Sequence, residues 1–222
     1  MIRENLQKIR ETLAPGVRLV AVSKFHPVEA LQEAYDAGQR IFGESHVQEL
    51  VEKEKALPKD VEWHFIGHLQ TNKVKYLAPF VSLIHAVDSL KLLCEIDKQA
   101  QKCGRTIDVL LQIHVAAEET KFGFTPEEVA DMLLGGEWKR LQHVRIVGLM
   151  AMATNTDDQS QIGREFESVH QLFDILKSRF FDNEPSFSQL SMGMSGDYPI
   201  AQAHGSTMVR VGSMIFGERN YT

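Results

Sequence analysis

Cysteine is nearly absent from this sequence: two residues, Cys94 and Cys103, among 222. Both fall in one predicted helix, where nine positions separate them by about 13 Å along the axis, beyond disulfide reach. They are expected to be free thiols in a reducing compartment. No apolar run approaches the length of a membrane span, and Met1-Ile2-Arg3-Glu4-Asn5-Leu6 carries charge where a signal peptide needs an apolar core. A cytoplasmic location follows as the expectation. Long basic blocks are missing too, and 24 Lys and Arg against 30 Asp and Glu give a formal charge of -6. That balance argues against nucleic acid as the main partner. Internal repeats and low-complexity linkers are lacking, so nothing marks a second domain. One domain over residues 1–222 is expected, of a size that α/β barrels fill as a single unit.

What is present is alternation. An opening amphipathic helix carries Ile2, Leu6, Ile9 and Leu13 at helical spacing. Apolar runs then recur at 17–24, 40–44, 61–67, 82–87, 107–115, 144–152, 187–192 and 208–216, rich in Val, Ile, Leu and Phe as strands covered on both faces should be. Helices are predicted between them at 27–37, 47–57, 90–102, 126–134 and 161–179, and Thr125-Pro126-Glu127-Glu128 is the strongest start signal. Eight strands with intervening helices predict an α/β fold, a single (β/α)8 TIM barrel with an extra N-terminal helix. An open doubly wound sheet is the rival, but it usually has five or six strands and a Gly-rich first turn, and Lys24 stands where that turn would be.

In such a barrel the loops after the strands build the site, and phosphate is commonly held after the seventh and eighth strands. Lys24 sits at the carboxyl end of the first strand, with Val20 and Val22 on its face and Leu19, Ala21 and Ser23 on the other. Burial there would lower its pKa from about 10.4, towards a free amine able to attack a carbonyl. A solvated lysine at a strand end is the plain alternative. Two small-residue stretches, Ser191-Met192-Gly193-Met194-Ser195-Gly196 and Gly205-Ser206-Thr207, with Gly212 beyond, offer N–H groups and hydroxyls to an anion. An amine beside a phosphate cup suits a phosphorylated aldehyde, and pyridoxal 5'-phosphate is the candidate. Arg210 shares the eighth strand's inner face with Met208 and Gly212 and must find an acceptor, either the pyridine nitrogen or a barrel carboxylate. On the nitrogen, a permanent cation keeps it unprotonated and weakens the ring as an electron sink. The histidines His64, His68, His85 and His114 lie in or beside strands, but no metal-binding spacing joins them. Met150, Met152, Met192, Met194, Met208 and Met214 read as barrel packing.

The motifs Ala21-Val22-Ser23-Lys24, Phe42-Gly43-Glu44, His64-Phe65-Ile66-Gly67-His68-Leu69-Gln70-Thr71-Asn72-Lys73, Gly148-Leu149-Met150, Leu190 to Ser195, Gly205 to Gly212 and Phe216-Gly217-Glu218-Arg219 form one ordered series. The chain resembles the pyridoxal phosphate homeostasis proteins, relatives of the N-terminal barrel of alanine racemase. The resemblance implies the cofactor as a Schiff base on Lys24, Arg210 near the pyridine nitrogen, and phosphate held by Ser195, Ser206, Thr207 and neighbouring backbone. Ser45 and His114 depart from the family, which often has asparagine at both places; the first puts a cofactor contact from position 45 in doubt. The resemblance further implies a role in vitamin B6 homeostasis and in amino-acid and keto-acid balance, without robust catalysis. Apo forms of pyridoxal-phosphate enzymes are the implied partners, and a monomer is expected. Two rivals remain: a slow racemase using Lys24 with Tyr198 or His204 as second base, and a cofactor-free lysine-imine aldolase.

Overall fold

The computed structural model describes residues 1–118 and 122–218. Arg219, last in the C-terminal motif, lies outside the described residues. Helix α1 (Ile2–Thr12) leads into strand β1 (Arg18–Val22), α2 (Val28–Asp36), β2 (Ile41–Glu44), α3 (Val47–Ala56) and β3 (Glu62–Phe65). A 3-10 turn and the single turn α4 (Val74–Leu77) precede β4 (Leu83–Val87), α5 (Leu90–Lys102), β5 (Ile107–Ile113) and α6 (Pro126–Gly135). The chain closes with β6 (Val144–Ala151), α7 (Gln159–Phe180), β7 (Gln189–Ser191), α8 (Tyr198–Ala203), β8 (Met208–Val211) and α9 (Ser213–Phe216).

The eight strands form a closed barrel in sequence order, all neighbours parallel, and β8 returns to β1 with Val20 opposite Arg210 and Ala21 opposite Val211. Side-chain alternation divides the core in two. Val20, Leu83, Ala86, Leu110, Val147, Met150 and Met208 fill the barrel interior, while Leu19, Ala21, Phe42, Phe65 and Leu111 face the helices. Each such layer removes apolar surface from water, and closing the sheet leaves no strand edge unpaired.

Local chemistry sets the helix starts. Thr125 and Glu128 form a reciprocal capping box with Pro126 in the first turn, and the Asp158 carboxylate accepts from the amides of Ser160 and Gln161 to open α7. The extra helix α1 packs on α2 and α9, with Asn5 donating to the Ile215 carbonyl at 3.0 Å. The expected eighth strand, 208–216, is shorter than its apolar content suggests: it ends at Val211, and residues 213–216 are helical. Helices α4, α8 and α9 escape periodicity because each is under two turns. Cys94 and Cys103 are both free and exposed. No described helix is long and apolar enough to cross a membrane.

Candidate functional site

Lys24 follows β1 at its carboxyl end and is half-buried on the wall of a cleft of about 750 Å³, lined also by Ser45, Gly67, His68, Gln112, Phe122 and Met152. These residues come from the ends of β1, β2, β3, β5 and β6, so the cleft opens on the face where barrel loops gather. His68 stacks on Phe122 with ring centroids 3.8 Å apart and faces Asp88 at 3.2 Å, forming one rim. Ser45, one of the two family departures, lies in the cleft wall; the other, His114, bonds the Glu118 carbonyl at 3.0 Å.

On the other side of β1 the same barrel mouth is formed by the ends of β7 and β8. Gly212 lies against the end of β1, where an added Cβ would meet the Val22 carbonyl oxygen at 2.9 Å. Lys24 therefore emerges beside the turn that follows β8. The amides of Ser195, Gly196, Ser213 and Met214 have no acceptor among the described residues, while the Gly212 amide donates to Ser195 Oγ at 3.3 Å. Gly193, at φ 95, turns this segment, and a Cβ there would strike Ala201 and Tyr198 at 2.7 and 2.8 Å. Unpaired N–H donors at close-approach glycines suit an anion with several oxygens. Met194 and Met214 are exposed at this rim, whereas Met150 and Met208 pack the barrel. The first pair is thus not the core filling that their type suggested.

The second predicted cup lies elsewhere. Thr207 accepts the amide of Arg18 on its carbonyl at 2.9 Å, and Arg18 begins the strand after which Lys24 stands. Six residues of extended chain put that end about 20 Å from Lys24. Ser206 is buried with its hydroxyl directed at the carbonyls of Leu190, Met192 and Met208, at 3.2, 2.8 and 2.9 Å. Thr207 Oγ1 accepts the Leu190 amide at 2.8 Å. Gly205, at φ 85, turns against the His170 ring. The structure thus unites Lys24, Ser195, Arg210 and Gly212 at one mouth and assigns Gly205, Ser206 and Thr207 to building the other. The sequence misplaces them because their small polar residues precede a strand instead of following one.

Arg210 is buried inside the barrel, held by neutral acceptors: one Nη donates to the Ser191 carbonyl at 3.0 Å and to Ser191 Oγ, the other to the Ala151 carbonyl at 3.1 Å. Loss of hydration lowers its pKa to about 10, against the favourable charge of Asp197. Because Arg210 only donates, the Ser191 hydroxyl proton goes to His85 Nδ1 at 3.0 Å, and His85 Nε2 then donates to His64 Nδ1 at 3.0 Å. Burial keeps both rings neutral, His64 with its pKa lowered to about 3 and His85 well below the usual value. This buried column was not foreseen; the inward alternation of His64 on β3 and His85 on β4 was its only trace in the sequence.

Tyr198 and His204, the suggested second bases, face away from the cleft. The Tyr198 hydroxyl meets Thr12 Oγ1 at 2.7 Å beneath α1, and His204 Nδ1 meets Glu167 at 3.0 Å on α7. Among the described residues no group of three or more His, Cys, Asp or Glu side chains is placed to hold a metal.

A family model described as alanine racemase, N-terminal domain, matches residues 1–220, which defines the class of barrel. The chain belongs to the pyridoxal phosphate homeostasis protein family within that class. The pyridoxal phosphate homeostasis protein of Aquifex aeolicus is 39% identical over 225 residues, covering 99% of this chain and 96% of the relative. The one from Schizosaccharomyces pombe is 39% identical over 223 residues, covering 99% and 90%. PipY of Synechococcus elongatus, solved with pyridoxal phosphate bound, is 37% identical, with TM-score 0.88 and coverage of 98% of this chain and 100% of that one. An alanine racemase of Clostridium difficile, at 16% identity and TM-score 0.76, covers 98% of this chain and 56% of its own, a likeness of fold.

Proposed function

We propose that this chain binds pyridoxal 5'-phosphate through a reversible C=N link to Lys24 and serves vitamin B6 homeostasis, and with it amino-acid and keto-acid balance, without robust turnover. The observation that carries the reading is the β1–β8 seam, where Gly212, next to the Ser213 and Met214 amides that have no acceptor among the described residues, lies against Val22 at the end of the strand that Lys24 follows. PipY, bound to the same cofactor, and relatives named for its homeostasis support it. The residues suit the group: four backbone donors and Ser195 Oγ for phosphate, a half-buried amine for the aldehyde, and Arg210 on the inner side towards the pyridine nitrogen.

When bound, the cofactor supplies a reactive aldehyde and a ring that can accept electrons. Arg210 remains cationic at neutral pH with its pKa at about 10, so it donates to the nitrogen and does not protonate it. This limits carbanion stabilisation and suits a carrier. With Tyr198 and His204 turned outward, the racemase reading loses both of the second bases named for it. The PipY complex speaks against a cofactor-free aldolase. The reading further holds that the protein is a cytoplasmic monomer and that apo forms of pyridoxal-phosphate enzymes receive the cofactor. Solvent deuterium incorporation into amino acids tests it. Exchange no faster than with free cofactor is expected; faster exchange, abolished in Lys24→Ala, would overturn it.

A further inference from the structure

Three charged side chains hold the residues on both sides of Lys24. Lys53, on α3, is 5% exposed, and its ammonium donates to the Ser23 carbonyl, to Glu44 Oε1 and to Glu49 Oε1, each at 2.7 Å. Glu44, at the end of β2, is fully buried and accepts from Ser23 Oγ at 2.6 Å. Glu49 Oε1 accepts from the Phe25 amide at 2.6 Å. The residue before Lys24 is thus tied by carbonyl and hydroxyl, and the residue after it by its amide. Phe25 takes φ 66, a left-handed conformation that is costly for a bulky residue and persists only where neighbours impose it. Its ring meets His46, just before α3, at a centroid distance of 5.0 Å.

The cluster is poorly explained by stability alone. Buried ion pairs seldom repay their desolvation, and this one leaves Glu44 Oε2 buried without a partner among the described residues. Desolvation raises the Glu44 pKa to about 7, opposed chiefly by Lys53. What the arrangement secures is the path of the chain through residue 24.

We propose that Lys53 and Glu49 are positioning residues for Lys24, fixing the Ser23–Phe25 turn so that the Lys24 amine projects into the cleft at the angle condensation requires. The proposal rests on the functional reading above. In the step concerned, the neutral Lys24 nitrogen adds to the aldehyde carbon, the carbonyl oxygen leaves as water, and a C=N bond remains. Neither Lys53 nor Glu49 exchanges a proton with the ligand; they act through the backbone.

Two ligands separate positioning from general support. Pyridoxal 5'-phosphate condenses, whereas pyridoxine 5'-phosphate, an alcohol, uses only the ring and phosphate contacts. Lys53→Met and Glu49→Ala are each expected to slow the appearance of imine absorbance about tenfold or more. Their affinity for pyridoxine 5'-phosphate should change by less than about twofold. Glu49→Gln keeps an acceptor for the Phe25 amide and should restore most of the rate. The partly exposed Glu49 makes that pair informative even if Lys53→Met folds poorly. Folded variants that condense at the wild-type rate, or that weaken for both ligands in parallel, overturn the positioning role. Wild-type protein that binds the alcohol but never condenses at Lys24 overturns the functional reading as well.

Discussion

The two sides of the barrel mouth are built by opposite means. On the β1–β2 side the Lys24 turn is set by charged side chains, Lys53, Glu44 and Glu49. On the β7–β8 side the candidate anion cradle consists of the backbone amides of Ser195, Gly196, Ser213 and Met214, with the Ser195 hydroxyl beside them and Gly193 and Gly212 shaping the turns. Removing one side chain can dismantle the first side; the second is damaged by adding one. The two sides meet at the seam where Gly212 lies against Val22, so the proposed reactive amine and the candidate anion-binding amides flank one carbonyl.

The largest effect is expected at that seam. Gly212→Val forces a Cβ to within 2.9 Å of the Val22 oxygen. It should cost about 1–3 kcal/mol of stability and most of the phosphate affinity, read by thermal melts and fluorescence titration with pyridoxine 5'-phosphate. Next in size is Arg210→Met. It leaves the Ser191 and Ala151 carbonyls without their donor, a loss of about 1–3 kcal/mol, and should weaken cofactor retention while Lys24 still reacts.

Acidification probes the interior column that supports Arg210. His64 and His85 have pKa values depressed below the unfolded value, so their stabilising contribution is complete above about pH 6.5 and is lost as pH falls below it. Each contributes a slope of about 1.4 kcal/mol per pH unit in that window. Glu44 has the opposite sign. Its pKa, raised to about 7, means the native carboxyl gains a proton before the unfolded one, so its effect stabilises as pH falls from 7 towards its ordinary value. Urea melts from pH 7 to 5 should therefore show a net loss, steeper in Glu44→Gln; a flat profile in that variant would contradict the neutral-histidine column.

Ser206→Ala gives the smallest effect and the sharpest contrast between the barrel's two mouths. Loss of a hydroxyl that bonds strand carbonyls should cost about 1 kcal/mol and leave cofactor affinity unchanged. A clear drop in affinity would return Ser206 to the phosphate site.

Strand count, barrel closure and the place of Lys24 were legible because apolar runs and their ends are local signals. Arg210 was legible as an inward cation by alternation, but its neutral acceptors on β6 and β7 were not, since neither strand names its neighbour's carbonyls. The Gly205-Ser206-Thr207 cup failed for a different reason: composition reports what a turn can bind, and only topology reports which mouth it serves. Lys53 was invisible as well. Glu49 and Lys53 are four residues apart on α3 and look like an ordinary solvated helical pair, until β1 and β2 close over them.

Borohydride reduction of protein supplied with pyridoxal 5'-phosphate, followed by peptide mass spectrometry, reads the Lys24 link itself. A pyridoxyl group on the peptide carrying Lys24, absent in Lys24→Ala, is the predicted result. An unmodified Lys24, or a group fixed reproducibly to another lysine, would contradict the account.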